Sequence, residues 1–90
     1  MSESELNNFI INYIDKKEKE SKDKNFIRYT FYDLRVKNNL SEKEVDELLK
    51  VSRDYFQNKG YNVYFTGTKY EYKNANMLVQ DNELMIAVKN

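Results

Sequence analysis

Two long stretches before Gly60 space their hydrophobic side chains at the helical repeat, whereas the stretch after it alternates hydrophobic with polar residues. The first stretch has its apolar residues at i, i+3, i+4, i+7 and i+8, which predicts an amphipathic helix over 3–20. Ser2, with Glu5 three positions later, matches a capping box at its start. The apolar stripe consists of Leu6, Phe9, Ile10, Tyr13 and Ile14. Residues 15–24 carry five lysines and four acids, a mixture typical of a solvated helix end.

An aromatic and β-branched run at 26–32 favours a short strand. Thr30 followed by Asp33 is also a helix-start signal. We therefore predict a strand over 26–29 and a short helix over 31–37. Asparagine adopts the left-handed backbone more readily than other side-chain-bearing residues, so Asn38 and Asn39 are expected to end this helix.

The second long stretch predicts a helix over 42–59. Ser41 and Glu44 form a capping box, and Leu40 and Val45 stand at the positions of a hydrophobic staple. Gly60 supplies the stop signal. The predicted inner face consists of Val45, Leu48, Leu49, Ser52, Tyr55 and Phe56.

Two alternating runs at the end of the chain predict a hairpin over 61–88. A loop at 73–76 pairs Tyr61 with Val88, Val63 with Ile86 and Phe65 with Leu84, which puts all three pairs on one face. This long hairpin needs a bulge near Gly67 or 81–82. The rival turn at 81–82 pairs Met77 with Ile86 and leaves Val63 unpaired.

Composition excludes most catalytic chemistry. His, Cys, Pro and Trp are absent from the 90 residues, so the chain has no disulfide, thiol nucleophile, standard zinc site or His-based triad. Two glycines are too few for a phosphate-binding loop. We expect one domain over 1–90 with no enzymatic activity, metal, cofactor or small-molecule substrate. The acidic start and the lack of a long apolar run predict a cytoplasmic protein without membrane contact.

The order of elements resembles a winged helix-turn-helix domain, an α+β fold of three helices, a short strand and a C-terminal two-stranded β-hairpin wing. Residues 30–49 would form the helix-turn-helix, and 62–88 the strand, wing and strand. The layout is similar to plasmid- and phage-encoded proteins such as conjugative relaxosome accessory factors and centromere-binding partition proteins. The resemblance implies a homodimer that binds double-stranded DNA in regulation, partition or transfer-origin recognition.

Charge distribution moves the expected DNA contact away from the second helix of this motif. The chain has 15 basic and 15 acidic residues, but 42–54 has a net charge of −2, whereas 25–41 and 59–76 each have +2. The carboxylates at an acidic helix start are repelled by the negatively charged phosphates of DNA. We therefore predict that the wing makes the main contact and that three cations outside it brace the DNA backbone. The wing residues are Thr68, Lys69, Tyr70, Tyr72, Lys73, Asn74 and Asn76, and the bracing residues are Arg28, Arg35 and Lys37.

Each of these features also has a structural explanation. Lysines on a hairpin protect a sheet edge from aggregation, tyrosines pack against helices, and Arg28 and Arg35 can pair with Asp33 or Glu44. Net neutrality and the acidic helix favour an alternative function, a protein-interaction module on a winged-helix scaffold. Ile11 lies off the apolar stripe of the first helix and marks a candidate surface for self-association.

Overall fold

A computed structural model describes residues 1–66 and 83–90. In these ranges the chain forms helix α1 (Glu3–Glu20), strand β1 (Phe26–Thr30), a π-helical turn numbered α2 (Tyr32–Lys37), helix α3 (Glu42–Asn58), strand β2 (Asn62–Phe65) and strand β3 (Glu83–Val88). The three strands form one antiparallel sheet in the order β1-β3-β2. This is a small α+β fold compatible with a winged helix. No helix within the described ranges has both the length and the apolar character needed to cross a membrane.

Both long helices begin at the predicted capping boxes. The Ser2 hydroxyl accepts from the Glu5 N–H at 3.2 Å, and the Glu5 carboxylate accepts from the Ser2 N–H at 3.1 Å. Ser41 and Glu44 repeat the arrangement at 3.2 and 2.8 Å. Such caps satisfy backbone donors that have no partner within the helix, so these two starts could be predicted from local sequence alone.

The short helix differs from the prediction in its hydrogen-bond spacing. The Asn38 N–H and the Asn38 side-chain amide both donate to the Asp33 carbonyl, at 3.1 and 2.6 Å. This double contact reaches five residues back and widens the turn into a π-helix. Asn39 then adopts φ 53°, the left-handed conformation expected of this pair. At the other end, the Thr30 hydroxyl accepts from the Asp33 N–H at 3.2 Å.

Helix α3 ends at Asn58, one residue before the predicted position, and Gly60 follows with φ 91°. The N–H of Gly60 donates to the Gln57 carbonyl at 2.9 Å, and the N–H of Tyr61 donates to the Phe56 carbonyl at 3.0 Å. These bonds satisfy carbonyls that the helix leaves open, and the positive φ explains the glycine.

The predicted hairpin register is wrong by one residue. Asn62 pairs with Val88, Val63 with Ala87, and Phe65 with Met85. The cause is an irregularity at Leu84, which has no partner on β1 because Tyr29 pairs with Met85 and the next residue pairs with Glu83. Leu84 and Met85 are therefore both buried, and simple alternation counted from Leu84 selects the wrong face.

The pairing of β2 with β3 agrees with the arms of the long hairpin. The predicted turns at 73–76 and 81–82 and the predicted bulge near Gly67 or 81–82 lie outside the described residues. Of the predicted inner face of α3, Tyr55 is only partly buried, whereas its five companions are buried.

The core lies between the three helices and one face of the sheet. Its centre is Tyr29 on β1, which is fully buried and packs edge-on against Tyr13 of α1 at a centroid distance of 5.2 Å. The opposite, outer face of the sheet carries Phe26 and Arg28 from β1, Ile86 and Val88 from β3, and Asn62 and Tyr64 from β2.

Candidate nucleic-acid interface

Three of the ten predicted DNA-contact residues lie in the part of the chain that the structure describes. These are Arg28 on β1, Arg35 on α2 and Lys37 at the end of α2. The predicted wing residues lie outside the described ranges, namely Thr68, Lys69, Tyr70, Tyr72, Lys73, Asn74 and Asn76.

Arg28 projects from the outer face of the sheet, where its Nε lies 3.0 Å from the Glu83 carboxylate on β3. The two side chains are 46% and 28% exposed. The sequence predicted Asp33 or Glu44 as the partner of this arginine, whereas the structure places Glu83 beside it. Because the pair is exposed, it contributes little to folding stability.

Arg35 lies beside the start of α3. Its guanidinium sits 5.9 Å from the centre of the Phe31 ring, and its Nη1 is 3.8 Å from the Glu42 carboxylate. Lys37, two residues further, is exposed. Arg28 and Arg35 thus stand on different elements, each beside a different carboxylate.

The first turn of α3 is acidic, with Glu42 and Glu44. The backbone N–H of Ser41 donates to the Glu44 carboxylate, which holds the pKa of Glu44 below its ordinary value. This carboxylate is therefore ionised at neutral pH, where it favours the positive end of the helix dipole. The charge at this end of α3 does not suit contact with phosphates.

Further along α3, two cations lie near the end of β2 together with the Asp46 carboxylate. A groove of about 350 Å³ lies between α3 and the end of β2, lined by Asp46, Leu49, Lys50, Arg53 and Phe65. The Arg53 guanidinium lies 5.9 Å from the centre of the exposed Phe65 ring. Two cations of α3 therefore flank the strand end from which the predicted wing continues.

Sequence reasoning missed Lys50 and Arg53 because it summed charge along 42–54 instead of around the helix. The signal was present, since residues three apart on a helix lie on the same side. We call the groove lined by Asp46, Leu49, Lys50, Arg53 and Phe65 the α3–β2 groove. The Arg53 Nε lies 3.2 Å from the carboxylate of its neighbour Asp54, on an exposed surface.

A second, larger groove of about 580 Å³ lies between the end of α1 and β1. Lys17, Lys24 and Arg28 contribute cations to it, and Glu20 a carboxylate. Burial lowers the pKa of Lys17, whose ammonium lies 5.7 Å from the centre of the Tyr29 ring. Lys17 thus packs against the Tyr29 ring in addition to carrying a charge. The groove between α1 and β1 is therefore a weaker candidate for DNA binding than the α3–β2 groove.

Over residues 1–66 and 83–90, no group of three or more carboxylates is arranged to hold a metal ion. The lining of the α3–β2 groove combines two cations, the Asp46 carboxylate and the exposed Phe65 ring. No protein-family model, curated protein or solved structure matches the chain.

Proposed function

We propose that the protein is a non-enzymatic, sequence-specific binder of double-stranded DNA that acts as a homodimer. The observation that supports this most is the placement of Lys50 and Arg53 near Phe65 at the end of β2, the strand that precedes the predicted wing in the sequence. In a winged-helix arrangement, the helix before the hairpin and the hairpin itself are the parts that meet DNA.

The proposed contact is made by the second half of α3 together with the hairpin. Lys50 and Arg53 would hold phosphates from the helix, and Lys69 and Lys73 from the wing. The acidic first turn of α3 would stay off the duplex, because each phosphate repels its carboxylates. Base selection would then come from the polar wing residues Asn74 and Asn76, since amide side chains can recognise adenine.

The expected setting is a plasmid or phage, where such a protein would serve regulation, partition or recognition of a transfer origin in the cytoplasm. In each case a dimer would place two hairpins on two half-sites.

The first test compares DNA affinity between two double variants that remove the same charge. Lys50→Ala/Arg53→Ala removes the helix cations, and Lys16→Ala/Lys22→Ala removes two exposed cations of the α1 end. Fluorescence anisotropy with a short mixed-sequence duplex should show a loss of about tenfold for the first variant and little change for the control. Equal losses would contradict the proposed site, and absence of binding by the wild type at low salt would contradict the function.

A second candidate function, binding of a protein partner, is favoured by the outer face of the sheet. Phe26 and Tyr64 are 42% and 53% exposed there, beside the half-exposed Ile86 and Val88. Exposed apolar patches of this kind often mark protein contacts. If the wild type bound no DNA, binding of a protein partner at this face would be the remaining candidate function.

A further inference from the structure

We propose that the outer edge of β1 binds an extended acidic segment of a partner protein and adds it to the sheet as a further strand. The site is the groove between β1 and the end of α1, which we call the α1–β1 groove. It lies at the opposite edge of the described sheet from β2, so this proposal goes beyond the DNA contact at the α3–β2 groove.

The backbone of β1 alternates between the two sides of the strand. The N–H of Lys89 donates to the Asn25 carbonyl at 2.9 Å, which shows the residue parity that pairs with β3. Counted from this contact, Ile27 directs its N–H and C=O toward β3, whereas Phe26 and Arg28 direct theirs to the other side. In the described sheet β1 is an edge strand, so these groups face the side on which an extended chain can add.

The α1–β1 groove runs along this edge. Its lining includes Ile27, which belongs to the core, and Phe26 and Arg28, which face the outer side of the sheet. A groove that touches both faces of one strand passes along the edge of that strand. The five residues of β1 span about 17 Å, and the groove has a volume of about 580 Å³, so a short extended peptide matches its length.

The charge of the groove favours an acidic peptide. Its lining has three cations, Lys17, Lys24 and Arg28, and the single carboxylate of Glu20. Lys17 lies 4.0 Å from Glu20, and Arg28 lies 3.0 Å from Glu83, so both of these cations have a carboxylate beside them. Lys24 is exposed and forms no ion pair with residues 1–66 or 83–90, which makes it the cation that an acidic side chain would meet.

Other occupants match the edge less well. A strand edge offers both donors and acceptors, and a peptide backbone pairs with both, whereas the phosphates of DNA only accept. A second copy that paired its own β1 here would bring Lys17 and Lys24 of the two molecules together, and like charges repel. An acidic peptide satisfies the backbone and the charge at once.

The first test measures peptide binding by fluorescence anisotropy in the absence of DNA. The probe is a labelled peptide of about ten residues in which valine and glutamate alternate, and its matched control alternates valine with lysine. The glutamate peptide should bind at least about tenfold more tightly than the lysine peptide, because the groove is cationic.

Backbone methylation of the probe tests the strand pairing. One version carries N-methyl groups on all valines and another on all glutamates. Only one of the two should lose affinity, by about tenfold, because in a paired strand the N–H groups of one residue parity face the neighbouring strand. Equal affinities of the two methylated peptides would contradict strand addition.

Two pairs of protein variants locate the site. Lys24→Glu should weaken binding of the glutamate peptide about threefold to tenfold, whereas Lys43→Glu, an exposed reversal on α3, should not change it. Phe26→Pro removes an N–H that faces away from β3, and Phe26→Ala removes only the ring. The proline variant should bind about tenfold more weakly than the alanine variant, with circular dichroism showing both folded.

Hydrogen exchange provides a measurement on the wild type itself. With saturating glutamate peptide, the Phe26 amide should exchange at least about tenfold more slowly, because it gains an acceptor. The Ile27 amide already faces β3 and should change little.

Failure of the wild type to bind the glutamate peptide, equal binding of the lysine peptide, or unchanged exchange at Phe26 would each overturn the proposal. So would a loss of duplex affinity in Lys24→Glu without any peptide binding, which would assign the groove to DNA. Peptide binding is measured without DNA, so its failure leaves the proposed DNA contact at the α3–β2 groove intact. Loss of that DNA contact would equally leave the peptide site intact.

Discussion

Single buried polar contacts join the helices to the sheet. The Tyr29 hydroxyl of β1 donates to the Ser52 hydroxyl of α3 at 2.8 Å, and both residues are fully buried. Burial raises the pKa of the Tyr29 hydroxyl above its ordinary value. Ser52 occupies a position on the inner face of α3 where an apolar residue would otherwise be expected, and this contact explains it.

Ser52→Ala should lower the free energy of unfolding by about 1–3 kcal/mol, because it leaves the Tyr29 hydroxyl buried without this acceptor. Adding Tyr29→Phe should recover part of the loss, since both polar groups are then gone. Urea denaturation of the two single variants and the double variant measures the coupling between them. Strictly additive losses would show that the two hydroxyls do not stabilise the fold as a pair.

At the scale of elements, some features follow from neighbouring residues and others from packing. The helix starts at Ser2 and Ser41 were predictable, because a capping box needs only residues three apart. The register of β3 was not, because the irregularity at Leu84 depends on how that strand meets β1. Predicting the cations at the α3–β2 groove requires the positions of the residues around the helix. A sum of the charges along the sequence does not use those positions.

Helices α1 and α3 are joined at their ends by Glu18. Its carboxylate accepts from the Tyr55 hydroxyl at 2.5 Å and from the Lys59 ammonium at 2.9 Å. Partial burial alone would raise the pKa of Glu18, but the hydrogen bonds from Tyr55 and Lys59 outweigh it and hold the pKa below its ordinary value.

A lowered pKa in the folded state means that Glu18 contributes stability above its unfolded pKa of about 4.5 and loses it as pH falls through the folded value. Glu18→Gln should therefore reduce stability at neutral pH by at most about 1 kcal/mol, because water screens the partly exposed group. The difference from the wild type should shrink as pH falls below about 4. Denaturation curves across this range measure it, and a difference that grows on acidification would contradict the assignment.

At the scale of the whole molecule, the zero net charge conceals a division between surfaces. The first turn of α3 is acidic, whereas the α3–β2 groove presents Lys50 and Arg53 beside the hairpin. The fold class could be predicted from the order of elements, but this separation of surfaces needed the packed structure.

The central claim is that phosphates bind at the α3–β2 groove and the hairpin, and the salt dependence of DNA affinity tests it most directly. Each neutralised phosphate contributes a slope of about −0.9 in a plot of log affinity against log salt concentration. Between about 50 and 200 mM salt, the slope for Lys50→Ala/Arg53→Ala should be less steep than the wild-type slope by the amount that about two phosphate contacts per protomer contribute. The slope for Lys16→Ala/Lys22→Ala should equal the wild-type slope. A slope near zero for the wild type, or equal slopes for the wild type and the Lys50→Ala/Arg53→Ala variant, would contradict the account.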